Sequence, residues 1–144
     1  MKFTDLGISD PVAKAVAAQG IVEPTTIQEK SITMILEGKD VIGISRTGSG
    51  KTASFGIPLI EMVDTNKRLQ GLIITPTREL AVQISQELVK WSKHKPMNIA
   101  TVYGGVSIAP QQKAIRTAHI VVATPGRLCD HIQRGNITLK QIKT

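Results

Sequence analysis

Short apolar runs alternate with helical segments along this chain, and that alternation narrows the fold more than any other feature. VIGIS (41–45), GLIIT (71–75), NIATVY (98–103) and HIVVAT (119–124) are too short for helices and read as buried strands. A glycine-rich turn follows the first run, and a helix-compatible segment then continues through about Met62. Residues 77–91 predict a helix with Leu80, Ile84, Leu88 and Trp91 on one stripe. Gly104-Gly105 precedes a helix near 109–117, and Pro125 opens another that runs to about Arg134. Upstream, residues 11–19 predict a helix with Asp10 as N-cap and Gly20 as stop. Residues 27–36 predict a second, ended by Gly38. This succession predicts an α/β fold, a parallel sheet with helices on both faces. In such sheets ligands bind beyond the carboxyl ends of the strands.

A length of 144 residues suits one core, and 41% hydrophobic content excludes a wholly disordered chain. No apolar run approaches the roughly 20 residues that span a bilayer, and MKFTDLGISD lacks the apolar block of a signal peptide. The single cysteine, Cys129, excludes an internal disulfide framework and a CxxC zinc site. A reducing, cytoplasmic setting is therefore expected, with no membrane partner. Net charge is +7, and its placement is uneven. Residues 1–72 carry 8 Lys+Arg against 8 Asp+Glu, whereas residues 73–144 carry 10 against 3. One-sided basic charge suits either a polyanion partner or a solvated basic surface.

The turn Ser45-Arg46-Thr47-Gly48-Ser49-Gly50-Lys51-Thr52 has the chemistry of a phosphate cradle. Gly48 and Gly50 let the backbone approach an anion without Cβ clashes, and Thr47–Gly50 and the helix start present successive N–H groups. Lys51 can reach the β and γ phosphates, and the Thr52 hydroxyl can ligate Mg²⁺. The strict P-loop pattern has glycine where this chain has Ser45, whose hydroxyl needs a partner if buried.

Two further turns share one arrangement, Thr75-Pro76-Thr77-Arg78 and Thr124-Pro125-Gly126-Arg127. In both, a strand ends in Thr and Pro takes the expected first helical position, so each Thr-Pro pair has a structural explanation as a helix cap. The arginines do not, because a cation at a helix N-terminus opposes the macrodipole by about 0.3–1 kcal/mol. Either an anion docks there, or Arg78 pairs with a carboxylate such as Glu79 or Glu87. Gly104-Gly105 either admits a ligand backbone or forms a simple turn.

Together these residues resemble the DEAD-box RNA helicases. Ser45–Thr52 resembles motif I, Pro76–Leu80 motif Ia, Gly104-Gly105 the GG motif, and Thr124–Arg127 motif Ib. Gly20–Gln28 resembles the Q motif, with Phe3 as its upstream aromatic, although Ile21 and Val22 stand where the family has an aromatic and a charged residue. The resemblance covers nearly the whole chain. It implies an ATP-dependent RNA helicase, with a RecA-like P-loop sheet that is incomplete in these residues. Residues 1–38 would form a Q-motif helical region and residues 39–144 part of the first RecA-like domain. Gln28 would read the adenine edge, Phe3 would stack on the base, and Thr47, Gly48, Ser49, Gly50, Lys51 and Thr52 would hold ATP and Mg²⁺. Pro76, Thr77, Arg78, Gly105, Thr124, Gly126 and Arg127 would contact the RNA sugar-phosphate backbone, which carries no sequence information.

The resemblance places the Asp-Glu-Ala-Asp motif just after Thr144, and no acid here substitutes for it: Asp40 precedes its strand, Glu61 and Asp64 lie at a helix end, and Asp130 lies in the last helix. P-loop ATPases need such acids for Mg²⁺ and for the attacking water. The chain is thus expected to be a helicase fragment that does not itself hydrolyse ATP or unwind RNA, with unpaired strand edges prone to self-association. The alternative is a non-catalytic nucleotide- or RNA-binding module or minimal P-loop unit; another P-loop enzyme such as a DNA helicase or small kinase is disfavoured, since a small kinase needs neither two arginine turns nor the Q motif. Trp91 is expected in the core, Cys129 as a buried thiol, and Lys90, Lys93 and Lys95 on a solvated face. His94, His119 and His131 form no ligand pattern.

Overall fold

A computed structural model describes residues 1–144, which pack as two compact units. The first comprises Met1–Met62 with Lys90–Lys95, and the second Val63–Val89 with Pro96–Thr144. The first is helical. A 3-10 turn at Phe3–Leu6 precedes α1 (Asp10–Ala17), α2 (Thr26–Leu36) and α3 (Lys51–Met62). Ser9, not Asp10, takes the N-cap position of α1, and its hydroxyl donates to Glu61 Oε2 at 2.9 Å. Helix α2 starts with a capping box, because Thr25 N–H donates to Gln28 Oε1 at 3.0 Å.

Val12, Val16, Ile32, Ile57 and Ile60 are fully buried in this unit. Each such side chain stabilises the fold by roughly 1.5–3 kcal/mol. Pro58 lies inside α3 and removes the donor to Ser54 O, and Ser31 Oγ stands 3.4 Å from that carbonyl. At the end of α3, Lys95 Nζ donates to Ile60 O at 2.9 Å and to Glu61 O at 2.7 Å. Lys95 is therefore a helix C-terminal cap, not the solvated residue expected. Trp91 is buried, as expected.

The second unit holds a three-stranded parallel sheet in the order β1 (Gly71–Ile74), β3 (Ile120–Ala123), β2 (Ile99–Val102). All four residues of β3 are buried, which fits a central strand covered on both faces. Helix α4 (Arg78–Trp91) connects β1 to β2, and α5 (Ala109–Thr117) connects β2 back to β3. The two crossovers run in opposite directions across the sheet. Right-handed connection therefore puts α4 and α5 on opposite faces. Helix α6 (Pro125–Gln133) follows β3. The outer edge of β1 is met by the last residues, since Leu72 N–H donates to Thr144 O at 2.9 Å and Lys143 N–H to Gln70 O at 2.9 Å.

The structure corrects the sequence reading at residues 41–45. VIGIS forms no strand, and Ile42 and Ile44 are 91% and 90% exposed. Extended backbone becomes a strand only through a neighbour's hydrogen bonds, and none of the three strands pairs with it. Cys129 is exposed, not buried. It falls off the stripe that buries Leu128 and His131 at helical spacing on α6.

Candidate nucleotide and nucleic-acid sites

In the first unit, the glycine turn lies between the exposed 41–45 segment and α3. Gly48 and Gly50 both have left-handed backbone, with φ of +82° and +87°. A Cβ on Gly50 would overlap Gln28 Nε2, whereas nothing lies within 4 Å of one on Gly48. The turn is held by the start of α2 and by its own polar groups. Thr25 Oγ1 donates to Ser49 O at 3.0 Å and Gln28 Nε2 to Gly50 O at 3.1 Å. Lys51 Nζ donates to Ser45 O, and the Ser45 and Ser49 hydroxyls share a hydrogen bond. The Ser45 hydroxyl thus finds the partner it requires.

Gln28 is 2% exposed, with both ends of its amide used internally, so reading a base edge requires exchanging one of those bonds. Phe3 is also a core residue, at 3% exposure. It lines a groove with Lys2, Asp10, Lys14, Val22 and His94. A separate groove of about 700 Å³ runs along Thr25, Ile27, Met34 and the 41–46 segment to Gly48 and Ser49. The residues fit a triphosphate in two respects, the Cβ-free backbone at Gly48 and the amine of Lys51 beside the loop. Thr52, the second residue of α3, carries the hydroxyl that would meet Mg²⁺, and no group of three or more His, Cys, Asp or Glu side chains is placed to hold a metal.

In the second unit, the parallel register aligns Ile74, Ala123 and Val102, so the turns after β1, β3 and β2 emerge side by side. These are the Pro76–Arg78, Thr124–Arg127 and Gly104-Gly105 turns. Thr75 N–H donates to Ala123 O and Thr124 N–H to Val102 O, both at 2.9 Å, which carries the sheet pattern up to the turns. The two Thr-Pro turns are not equivalent, contrary to expectation. Thr124 and Pro125 do take the N-cap and N1 positions of α6. Helix α4, however, begins only at Arg78. Thr75 Oγ1 donates to Thr77 O at 3.0 Å, and Thr77 Oγ1 accepts Leu80 N–H at 3.2 Å, so Thr77 is the cap.

Arg78 is exposed and forms no salt bridge with Glu79 or Glu87. Its guanidinium sits 4.7 Å from the centroid of the Tyr103 ring, and a Cβ on Gly105 would stand 3.9 Å from its Nη1. Arg127 is more enclosed, its side chain 14% exposed. Its Nη2 donates to Val106 O at 3.0 Å, its Nη1 to Gln111 Oε1 at 3.1 Å, and its Nε lies 3.9 Å from Asp130 Oδ2. Two arginines therefore flank the 103–106 turn. The sequence reading missed Tyr103, Gln111 and His131. Only Tyr103, an aromatic directly before the glycine pair, carried a local signal.

The sheet, the glycine turn ahead of α3 and the basic strand tips define a class, the RecA-like α/β domain of P-loop proteins. The profile of the DEAD/DEAH box helicases matches residues 25–144. The chain is 52% identical over 146 aligned residues to the ATP-dependent RNA helicase CshA of Limosilactobacillus reuteri, covering 100% of this chain and 29% of that protein. It is 47% identical to a probable ATP-dependent RNA helicase of Methanocaldococcus jannaschii, over 99% of this chain and 39% of that one. The crystal structure of a DEAD box protein from the hyperthermophile Methanococcus jannaschii superposes with a TM-score of 0.94 at 47% identity, again over 99% and 39%. That of a hypothetical ATP-dependent RNA helicase from Sulfolobus tokodaii gives 0.85 at 37% identity, over 92% and 39%. The chain belongs to the DEAD/DEAH box helicase family. It spans 29% to 39% of the length of these relatives. No helix is long and apolar enough to cross a membrane.

Proposed function

We propose that these residues form the nucleotide-binding and part of the RNA-binding surface of an ATP-dependent RNA helicase. Thr47–Thr52 hold the phosphates of ATP, with Lys51 exchanging Ser45 O for phosphate oxygens and Thr52 offering its hydroxyl to Mg²⁺. Bound magnesium-ATP supplies the phosphoanhydride whose hydrolysis drives the whole protein. Gln28 reads the adenine edge by giving up an internal bond, which links base recognition to the shape of the P-loop through Gly50 O. Phe3 stacks on the base only if the 3-10 turn that carries it unpacks.

Pro76, Thr77, Arg78, Gly105, Thr124, Gly126 and Arg127 grip an RNA backbone without reading its sequence. The observation that carries this reading is the alignment of three strand tips, with Arg78 and Arg127 flanking the 103–106 turn. Taken alone, the 144 residues bind but do not turn over ATP, because no Asp or Glu stands at the carboxyl end of β1, β2 or β3 to serve the metal and the attacking water. The uncovered Ile42 and Ile44 promote self-association.

The test is paired binding with a fluorescent ATP analogue and a labelled single-stranded RNA, alongside phosphate release. K51A should lower nucleotide affinity and spare RNA, and R78A should do the reverse. R78A with unaltered RNA affinity, or phosphate release by the 144-residue chain, refutes the assignment.

A further inference from the structure

Beneath the 103–106 turn lies a buried polar network that direct RNA contact does not explain. Gln111, 7% exposed, sits in the first turn of α5. Its Nε2 donates to Tyr103 O at 2.9 Å. Its Oε1 accepts from Arg127 Nη1 at 3.1 Å and from His131 Nε2 at 3.0 Å. His131 is fully buried, and its Nδ1 stands 3.1 Å from Asn136 Nδ2. With the Asn136 amide donating to Nδ1, the ring carries its proton on Nε2. That proton fixes Gln111 in turn, since a flipped amide would set donor against donor at both His131 and Arg127.

Every bond of Gln111 leads to the polyanion turn or to what supports it. Tyr103 O is held by Gln111, and Val106 O by Arg127. The Tyr103 ring then carries Arg78. An apolar side chain would fill the space under the turn at lower desolvation cost. A fully satisfied polar network instead selects one geometry, as buried networks do.

We propose that Gln111, oriented by His131, is a positioning residue of the polyanion site, setting the spacing between Arg78, the Gly105 turn and Arg127. This rests on the reading above that those residues bind RNA.

The test is the affinity of the 144-residue chain for a fluorescein-labelled uridine decamer, by anisotropy across a salt series, with a thermal melt of each variant. R127A probes the RNA reading itself. It should weaken binding about tenfold and lower the salt slope by about one phosphate contact. Q111L keeps the Arg127 charge, so it should weaken binding by a similar factor while the salt slope stays at the wild-type value. The Q111L/R127A double variant should lose less than the product of the two single losses, since the two share the Arg127 contact, yet bind more weakly than R127A, since Gln111 also holds Tyr103 O on the Arg78 side of the turn. An Asn amide mimics Nδ1 of histidine and a Gln amide mimics Nε2. H131N should therefore follow Q111L, and H131Q should recover most of the loss.

If R127A binds like wild type, the RNA reading fails and this proposal fails with it. If R127A weakens binding while Q111L and H131N do not, or if H131N and H131Q lose affinity equally, the positioning role alone is overturned. If Q111L melts below the assay temperature, the H131N and H131Q pair decides.

Discussion

Replacing Gly50 by alanine tests whether a single side chain ties the P-loop to α2. Gly48 and Gly50 have similar left-handed backbone, at φ +82° and +87°. Alanine at either position therefore bears a strain of roughly 1–2 kcal/mol. Only at Gly50 does the new Cβ collide with Gln28 Nε2. Displacing that amide breaks its 3.1 Å bond to Gly50 O and leaves a side chain of 2% exposure short of a partner. That adds roughly 1–3 kcal/mol. G50A should thus be less stable than G48A by about 2 kcal/mol. Combining Q28A with G50A removes the collision, so the double-mutant cycle should show a favourable coupling of about 1–2 kcal/mol. The assay is urea unfolding followed by the fluorescence of Trp91, the single tryptophan, which is 4% exposed. Equal midpoints for G48A and G50A, or a cycle with no coupling, would refute the latch.

K95M removes the donor from Ile60 O and Glu61 O at the end of α3 and should cost about 1 kcal/mol by the same urea assay, whereas K93M, at an exposed position, should cost nothing measurable. Replacing Ile42 and Ile44 with Lys should lower the apparent mass of the chain in light scattering at high concentration, and an unchanged mass would remove the 41–45 segment from any self-association. Burial of His131, reinforced by the nearby Arg127, lowers its pKa below the usual 6.5. The unfolded chain then binds the proton more readily, so stability is complete above about pH 6.5 and falls as pH drops toward the folded value. The slope cannot exceed about 1.4 kcal/mol per pH unit for one proton. It should be absent in H131Q, and an identical slope there would assign the effect to other groups.

The sheet was legible because continuous apolar runs such as HIVVAT can be satisfied only by a strand covered on both faces. The helices were legible from stripes such as Ile84, Leu88 and Trp91, all of which are buried. Residues 41–45 were misread for a related reason. An apolar run carries information about what it would bury, not about whether a partner strand is within reach. The Thr75 turn was misread because two threonines compete for one cap, and the sequence does not say which hydroxyl wins. Lys95, Gln111 and His131 were invisible as functional residues, since each acts through a carbonyl or amide distant in sequence and none belongs to a local pattern.

The two arginines at the helix starts are satisfied differently from what their sequence positions suggest. Arg78 and Arg127 sit at positions N1 and N3 of their helices, where the macrodipole opposes them by about 0.3–1 kcal/mol. From sequence, that cost pointed outward to a bound anion or sideways to a carboxylate. In the structure it is largely met within the unit. The face of Tyr103 offsets it for Arg78, a contribution of about 0.5–1 kcal/mol at an exposed site. For Arg127, Val106 O, Gln111 and Asp130 do the same. A cation at a helix start is therefore weaker evidence for a ligand than its dipole cost suggests. Preorganisation is the stronger evidence for the proposed polyanion site: Arg127 is held by Val106 O, Gln111 and Asp130, and Arg78 rests on the Tyr103 ring across the same turn. A ligand meeting them loses little affinity to side-chain ordering, and that saving disappears if the groups beneath the turn are removed.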